Sequence, residues 1–570
     1  MSCLHPSCLR PPRLLCLLAL IPMSPAYSAY LHLCPAAALP GPALASAAAA
    51  DGSKLRFVVT EGPAPAGCSS LALGDAHIET LHAPGPQART ARAILLHGEE
   101  QDGRFAVSEQ ILVQPDSSAP PTPPGPMPLH RNLLDAMRVT TYGSEERVRA
   151  RLEDGRLHLR CEAGTRPAGV LLSGPWRLPL LRGALRLRFA GQGRFAWRAA
   201  DAAQAARETA LDMGFLDAAG AETPLRLALP SGLDRTGWRH FVLACPDGPA
   251  TLELRELALA PTPGAVDQRP APRATWIWEA RDWRGRGAAL LDWAVGEGIR
   301  ELFVTVPIAG DRVREPAALS AFVRGARARG IAVSAVEGDP HMVLPPERAA
   351  SAARARALAR YNREAPPGAR LASLQFDIEP YLLGPEVLAP ARLERAYLAT
   401  AAALRSAAGE LPLDFVLPFW WAGKRGLLDA LARSADSITV MDYRTAPDQI
   451  VEFAMPFLDW GAAHGKRVRI ALEAGPVAAL TERRYHPAEP GSAGDMLLFE
   501  LGGQTVLALL REPRAVRGAQ PFRLAATRRI DGSATSFHGN TAALRALLPR
   551  LEADFSAWPG FAGIALHGLR

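Results

Sequence analysis

The spacing of hydrophobic positions changes character along the chain. Residues 54–113 carry short extended runs, such as Leu55-Arg56-Phe57-Val58-Val59 and Ala93-Ile94-Leu95-Leu96, cut by Gly and Pro. These predict a small β-rich segment over 51–114. Residues 115–128 are dense in proline, which fixes φ and has no amide for a ladder, so they predict a stiff linker. Over 129–262 apolar and polar residues alternate with period two, in 148–159, 184–189, 195–197, 225–229, 240–244 and 251–259, with Gly-rich turns between. That pattern predicts an antiparallel β-sandwich-like module, the architecture in which carbohydrate-binding modules are often built. Its Trp176, Trp197 and Trp238 could form a sugar platform, but burial in the core is the favoured reading. A second Pro-rich linker covers 263–273.

From residue 274 the texture becomes strand, then helix, repeated. Strand-like runs at 275–278, 302–306, 331–336, 373–379, 415–420, 438–443, 468–473 and 563–567 alternate with helical patterns at 287–297, 317–329, 347–361, 393–408, 427–432, 451–464 and 541–555. Eight such runs predict a (β/α)8 TIM barrel over 274–570, and the whole a multidomain protein with β modules ahead of the barrel. An open doubly wound sheet is the alternative, disfavoured because no Gly-x-Gly-x-x-Gly follows the first strand. One connection is too long. Residues 477–538 contain two alternating runs, Met496 to Leu501 and Gln504 to Leu510, joined by Gly502-Gly503, which predicts an inserted β-hairpin. Loops that follow barrel strands emerge at the C-terminal mouth, so the insertion is expected to wall the substrate cleft.

Composition narrows the classes. The chain has 570 residues, 48% hydrophobic and 21% charged, enough apolar material for two or three packed domains. The net charge of +7 comes from dispersed Arg, with no basic stripe interleaved with aromatics, which argues against a nucleic-acid partner. Arg10 and Arg13 precede a short apolar run, Leu14 to Met23, too short to span a bilayer but suited to a secretory signal. A leader over 1–50 is therefore expected, with cleavage after Ala29 or Ala45, or retention as an N-terminal anchor. The protein is read as secreted or periplasmic and monomeric. Of seven cysteines, Cys3, Cys8, Cys16 and Cys34 fall in that leader, leaving Cys68, Cys161 and Cys245 and room for at most one internal bridge. No Cys-x-x-Cys and no His-Glu-x-x-His occurs, so no zinc site is suggested, and no cofactor is expected.

Chemistry concentrates on the fourth strand. In Gln375-Phe376-Asp377-Ile378-Glu379 the polar residues share one face and the apolar residues take the other. An inward carboxylate can be a helix cap or an ion-pair member. Two carboxyls on one face also raise the pKa of one of them, which makes an acid able to protonate a leaving glycosidic oxygen. Glu379, nearest the mouth, is assigned that role. Other polar or aromatic residues end neighbouring strands: Trp278 and Glu279 after the first, Glu337, Asp339 and His341 after the third, Trp420 and Trp421 after the fifth. Carboxylates beside aromatic faces suit a sugar, whose C–H faces stack on rings while its hydroxyls bond carboxylates. Glu337, Asp339 and His341 could instead hold a divalent cation, but their spacing is not diagnostic and no metal is assigned.

This chain resembles the chitinase-like family 18 of glycoside hydrolases, whose fourth-strand motif is Asp-x-x-Asp-x-Asp-x-Glu. Asp377 and Glu379 match its last two positions, while Ala372 and Gln375 stand at the earlier Asp positions. The sixth-strand Met-x-Tyr of that family is matched by Met441-Asp442-Tyr443, with Arg444 where the family has Asp, and His567 stands where the family places an eighth-strand Trp. The resemblance covers the barrel only. It implies a retaining, substrate-assisted hydrolysis: the substrate's N-acetyl group attacks, Asp377 orients it and Tyr443 holds its carbonyl. Independently of any family, Glu473 at the end of the seventh strand could serve as a nucleophile of the enzyme's own, provided the two carboxyls stand roughly 5–5.5 Å apart. The expected function is thus an exported glycoside hydrolase acting on a polysaccharide or glycan. The alternative is a catalytically silent, sugar-binding barrel in a polysaccharide export or surface assembly.

Overall fold

The computed structural model describes residues 29–35, 45–48, 54–61, 66–82, 86–101, 104–113, 125–200, 210–229, 240–263, 272–384 and 387–570. The apolar run Leu14 to Met23, Cys3, Cys8, Cys16, Trp238 and most of both proline-rich linkers lie outside the described residues. The chain divides into two units, residues 1–122 with 477–533, and residues 123–476 with 534–570.

The first unit joins segments that the sequence pattern assigns to separate domains. Strands Ala45–Ala48, Lys54–Thr60, Ala29–Pro35 and Ser69–Gly74 form a four-stranded sheet in that order. A seven-stranded sheet runs Ile78–His82, Gln504–Arg514, Gly494–Leu501, Gln520–Ile530, Leu480–Pro487, Ala93–Gln101, Arg104–Val113. The expected hairpin is present, Leu497 pairing with Ala508 and Leu501 with Gln504. Gly502 and Gly503 make its turn with φ of 58° and 76°, the left-handed pair that a two-residue hairpin needs. The hairpin is not isolated, however. Its strand Gln504–Arg514 pairs with Ile78–His82, and Leu480–Pro487 pairs with Ala93–Gln101. Leu31, Leu33 and Phe57 of the small sheet pack with Leu497, Phe499 and Val506 of the large one. Each segment thereby covers a strand edge of the other, and the pairing joins residues as far apart as Ile78 and Leu510.

Two disulfides, Cys34–Cys68 and Cys161–Cys245, correct the expected limit of one. Counting Cys34 with the leader removed it from the pairing. In the fold Cys34 ends a buried strand that pairs on both edges, so the leader as drawn to residue 50 overlaps folded structure.

In the second unit the antiparallel module is organised by one 18-residue strand, Gly183–Ala200. Its first half pairs with Thr223–Ala228 and Ala250–Pro261, its second with Ala210–Ala219 and His240–Ala244. Phe189, Phe195, Trp197, Phe241 and Leu252 fill the interior. Trp197 has no exposed surface and stacks on Phe241 at 5.1 Å, so it is core and not a platform; Trp176 is half-buried against the same core.

Eight parallel strands, Arg273–Ile277, Ile299–Thr305, Ala332–Glu337, Leu374–Phe376, Leu413–Pro418, Ser437–Met441, Arg467–Glu473 and Phe561–His567, close a barrel in chain order. Seven helices lie in the connections: α1 Ala280–Gly296, α2 Pro316–Ala328, α3 Pro345–Glu364, α4 Pro390–Ala408, α5 Arg425–Leu431, α6 Pro447–His464 and α7 Thr541–Phe555. Helices α2, α3, α4 and α6 begin with a proline in the first turn, where its missing amide costs nothing. Alternation sorts the strand side chains into two clusters. Phe376, Phe415, Leu417, Ile438, Val440 and Leu472 join the helix residues Leu319, Leu358 and Leu404. Trp276, Phe303, Val336, Val416, Met441, Ala471 and Ala565 form the barrel interior. The sandwich and barrel are joined through a buried carboxylate: Asp459 on α6 accepts from Arg177 at 2.5 Å, the Leu180 amide at 2.7 Å and Trp558 Nε1 at 2.8 Å.

Candidate active site

Strand four leaves its ladder after Phe376, so Asp377 and Glu379 stand just beyond it at the C-terminal end. Below them Gln375 faces inward as alternation requires. It accepts from Trp276 Nε1 at 2.5 Å and donates to Asp414 Oδ2 at 2.6 Å and Thr439 Oγ1 at 3.3 Å. Asp414 also accepts from Ser437 at 2.6 Å and Thr439 at 2.7 Å. Gln375 is thus a fully buried tie across the barrel floor, not a group presented to a ligand.

Asp377 and Glu379 are 8% and 3% exposed. The Tyr381 hydroxyl donates to Glu379 Oε2. Burial, and next the charge of Glu379, pushes the Asp377 carboxyl well above its ordinary range. One Asp377 oxygen, Oδ1, is buried with no hydrogen-bond partner. Tyr381, which the sequence analysis did not single out, is raised by burial and by Glu379. Its ring meets Trp420 edge-on at 5.2 Å and Trp421 at 6.1 Å. Trp420 is 45% exposed, whereas Trp421 is buried against Tyr397 at 5.0 Å. Only Trp420 of the pair offers a ring to a sugar. The signal for Tyr381 was its place two residues after Glu379 in Glu379-Pro380-Tyr381.

Opposite lies a second buried group. Glu473 accepts from the Gly475 amide on Oε1 and from His567 Nδ1 on Oε2, both at 2.7 Å. Trp278 Nε1 stands 3.3 Å from His567 Nε2, and an indole can only donate. In that arrangement Nε2 faces the indole donor and Nδ1 faces Glu473. The His567 ring stacks on Tyr443 at 6.0 Å, and Tyr443 shares the interior cluster with Trp278 and Tyr381. Glu379, Tyr381, Tyr443, Trp278, His567 and Glu473 thus belong to one continuous set of contacts across strands four, six, seven, eight and one.

Four other candidates are engaged elsewhere. Glu337 takes both Arg354 nitrogens of α3 at 2.5 and 2.7 Å, an ion pair of barrel and helix. Burial pushes its carboxyl up against the pull of Arg354. Asp339 caps a short turn, accepting from the His341 amide at 2.7 Å and ring at 2.9 Å, so both belong to an exposed local turn. Among the described residues no His, Cys, Asp and Glu cluster is gathered as a metal ligand set. Glu279 sits at the N-terminus of α1 with Arg281 3.8 Å away.

Asp442 has the opposite parity to Thr439, Met441 and Tyr443. It is fully buried, neither carboxyl oxygen has a hydrogen-bond partner, and burial pushes its pKa well up against the opposing charge of Arg444. Arg444 lies over Phe419 at 4.4 Å and donates to the Tyr443 carbonyl at 2.7 Å.

The sequence matches no protein-family model and no curated protein. Solved structures give weak likenesses. A mutant carbohydrate-binding module of family 29 shares 10% identity over 22% of this chain and 82% of its own, with a TM-score of 0.17. Another mutant of that module, complexed with mannohexaose, shares 10% over 24% of this chain and 89% of its own, with a TM-score of 0.19. The CBM22-1–GH10 modules of Clostridium thermocellum xylanase 10B, complexed with xylohexaose, share 10% over 60% of this chain and 80% of theirs, with a TM-score of 0.26. Scores this low transfer neither fold nor activity to this chain.

Proposed function

We propose that the barrel is a retaining glycoside hydrolase acting on a polysaccharide or glycan, with Glu379 as general acid and base. The observation that carries this reading is the buried carboxyl pair at the end of strand four, where burial and the Glu379 charge raise Asp377. Such a pair resists double ionisation and keeps one proton. Moved to Glu379, that proton goes to the leaving glycosidic oxygen as the C–O bond breaks, and the Asp377 carboxylate is left to accept an N–H. Both Glu473 oxygens already accept hydrogen bonds, which argues against Glu473 as the attacking group. The reading therefore favours the substrate's own acetamido oxygen as nucleophile, with Tyr443 holding that group. Water then opens the resulting oxazolinium ring, giving its proton back to Glu379. Two disulfides suit an oxidising compartment, in line with a secreted or periplasmic protein.

A silent sugar-binding barrel is the second reading, favoured by one observation. Gln375 fills the floor beneath Asp377 and spends its amide on Trp276, Asp414 and Thr439, leaving Asp377 Oδ1 unpartnered. Hydrolysis of aryl glycosides with and without a 2-acetamido group, and of bacterial exopolysaccharides, separates the two. Turnover lost in Glu379→Gln supports the hydrolase; glycan binding with no turnover in the wild type supports the silent barrel.

A further inference from the structure

A second site lies on the sandwich, away from the barrel chemistry. Strands Val148–Glu153, Arg156–Cys161 and Ala250–Pro261 run side by side and antiparallel. Val148, Leu157, Leu159, Leu252 and Leu254 point into the core, so period two sends Arg149, Arg151, His158, Arg160, Thr251 and Glu253 to the outer face. The register makes two rows across the strands: Arg149 opposite Arg160 opposite Thr251, and Arg151 opposite His158 opposite Glu253. These six line a shallow cleft of about 650 Å³ together with Arg255 and the small residues Ala190 and Gly191. A Cβ on Gly191 would lie 2.0 Å from the Thr251 carbonyl oxygen, so that part of the floor stays free of side chains.

One cation in this cleft has no carboxylate beside it. Like charges directly opposed across a ladder repel. Farther along the sheet, Arg186 and Arg188 are both matched by Glu256, at 3.0 and 2.6 Å. In the cleft Arg160 leans to Glu162 at 2.9 Å and Arg255 to Glu222 at 2.6 Å and Glu253 at 2.8 Å. The Arg149 guanidinium, facing Arg160, makes no ion pair among the described residues. Arg151 likewise pairs with Glu153, so of the four guanidiniums lining the cleft Arg149 is the one without a carboxylate partner among the described residues.

We propose that this cleft binds an anionic polysaccharide, a chain of uronic-acid type. Arg149 and Arg160 take a sugar carboxylate between them, while Thr251 and Glu253 bond ring hydroxyls. Glu253 and the lack of any Trp, Tyr or Phe in the lining favour a glycan over a nucleic acid. A carboxylate repels a phosphate backbone but accepts from hydroxyls, and the His158 imidazole is the one ring in the lining for base stacking. The site does not depend on the barrel being a hydrolase, and its binding can be measured whether or not turnover is found.

The test is affinity electrophoresis and calorimetry of the full chain with polygalacturonate, with its methyl ester and with single-stranded DNA. The free acid is expected to bind, to weaken with salt, and to bind at least about ten-fold more tightly than the ester, since charge-assisted bonds are lost on esterification. The double variant Arg149→Glu, Arg160→Glu is expected to lose about ten-fold or more in affinity with an unchanged unfolding temperature. Should that variant fail to fold, Arg149→Gln carries the same expectation at about three-fold or more, from one charge-assisted bond. Equal binding of acid and ester, wild-type affinity in a folded variant, or tighter binding of DNA than of polygalacturonate would each overturn the proposal.

Discussion

Replacing Asp442 with asparagine removes one ionisable proton and leaves size and shape nearly unchanged. Asp442 has no exposed surface, and neither carboxyl oxygen has a hydrogen-bond partner. The one opposing charge acting on it, Arg444, is itself pulled down by burial and lies over the Phe419 ring. Burial therefore holds the Asp442 carboxyl well above its ordinary value of 3.8. A carboxyl raised on folding binds its proton more tightly in the native chain than in the unfolded one. Between the unfolded and folded values the native state carries more protons, so stability falls as pH rises through that window. Asparagine has no such window. Leaving a buried polar group unsatisfied costs about 1–3 kcal/mol, and more when it is charged. At pH 4 both side chains are neutral, and the variant should match wild type within about 0.5 kcal/mol. At pH 8 it should be more stable by about 1–3 kcal/mol. Urea unfolding followed by tryptophan fluorescence from pH 4 to 9, with disulfides intact, measures the difference. A variant less stable than wild type at pH 8 by more than about 1 kcal/mol, with the gap widening as pH rises, would refute the argument, because it would mean a charged carboxylate served by a partner.

Glu379→Gln should keep the fold and drop hydrolysis about 100-fold or more on a substrate with a poor leaving group, the usual weight of a general acid; wild-type turnover would remove it from the role. Tyr443→Phe should slow the reaction strongly while Glu473→Gln leaves chemistry mostly intact, and labelling of Glu473 by a fluorosugar would reverse that order. Alkylation without reduction, read by peptide mass, should leave Cys34, Cys68, Cys161 and Cys245 unmodified, and a labelled Cys34 would disprove its bridge. Across loops of 34 and 84 residues, Cys34→Ser and Cys161→Ser should cost about 4 and about 4.5 kcal/mol in the chain-entropy view, measurable by urea unfolding.

The barrel was legible because every repeat writes its own local pattern. Val468 to Glu473 reads as an apolar strand ending in a carboxylate, and Thr541 to Phe555 as a helix; the structure forms both there. Inward and outward residues of strand four were legible from period two, and Gln375 and Phe376 fall as expected on opposite sides. What each inward group does was not. Glu337 was a plausible sugar ligand until Arg354, a full helix away, proved to hold it, and Asp339 with His341 proved to close a turn. Asp442 was grouped with its neighbours in sequence, and its complete burial was not legible there.

The sequence by itself determined the elements and their class: the β segments, the run of eight strands with helices between, the Gly502-Gly503 hairpin and the carboxyl pair at Asp377 and Glu379. These rest on interactions within a few residues, where periodicity and turn chemistry act directly. Only the tertiary structure decided the pairing of Leu480–Pro487 with Ala93–Gln101, the Cys34–Cys68 bridge, the locking of Glu473 by His567 and the burial that raises the Asp377 carboxyl. Each of these depends on which surfaces exclude water together, a property of chain segments far apart in sequence that no local pattern encodes.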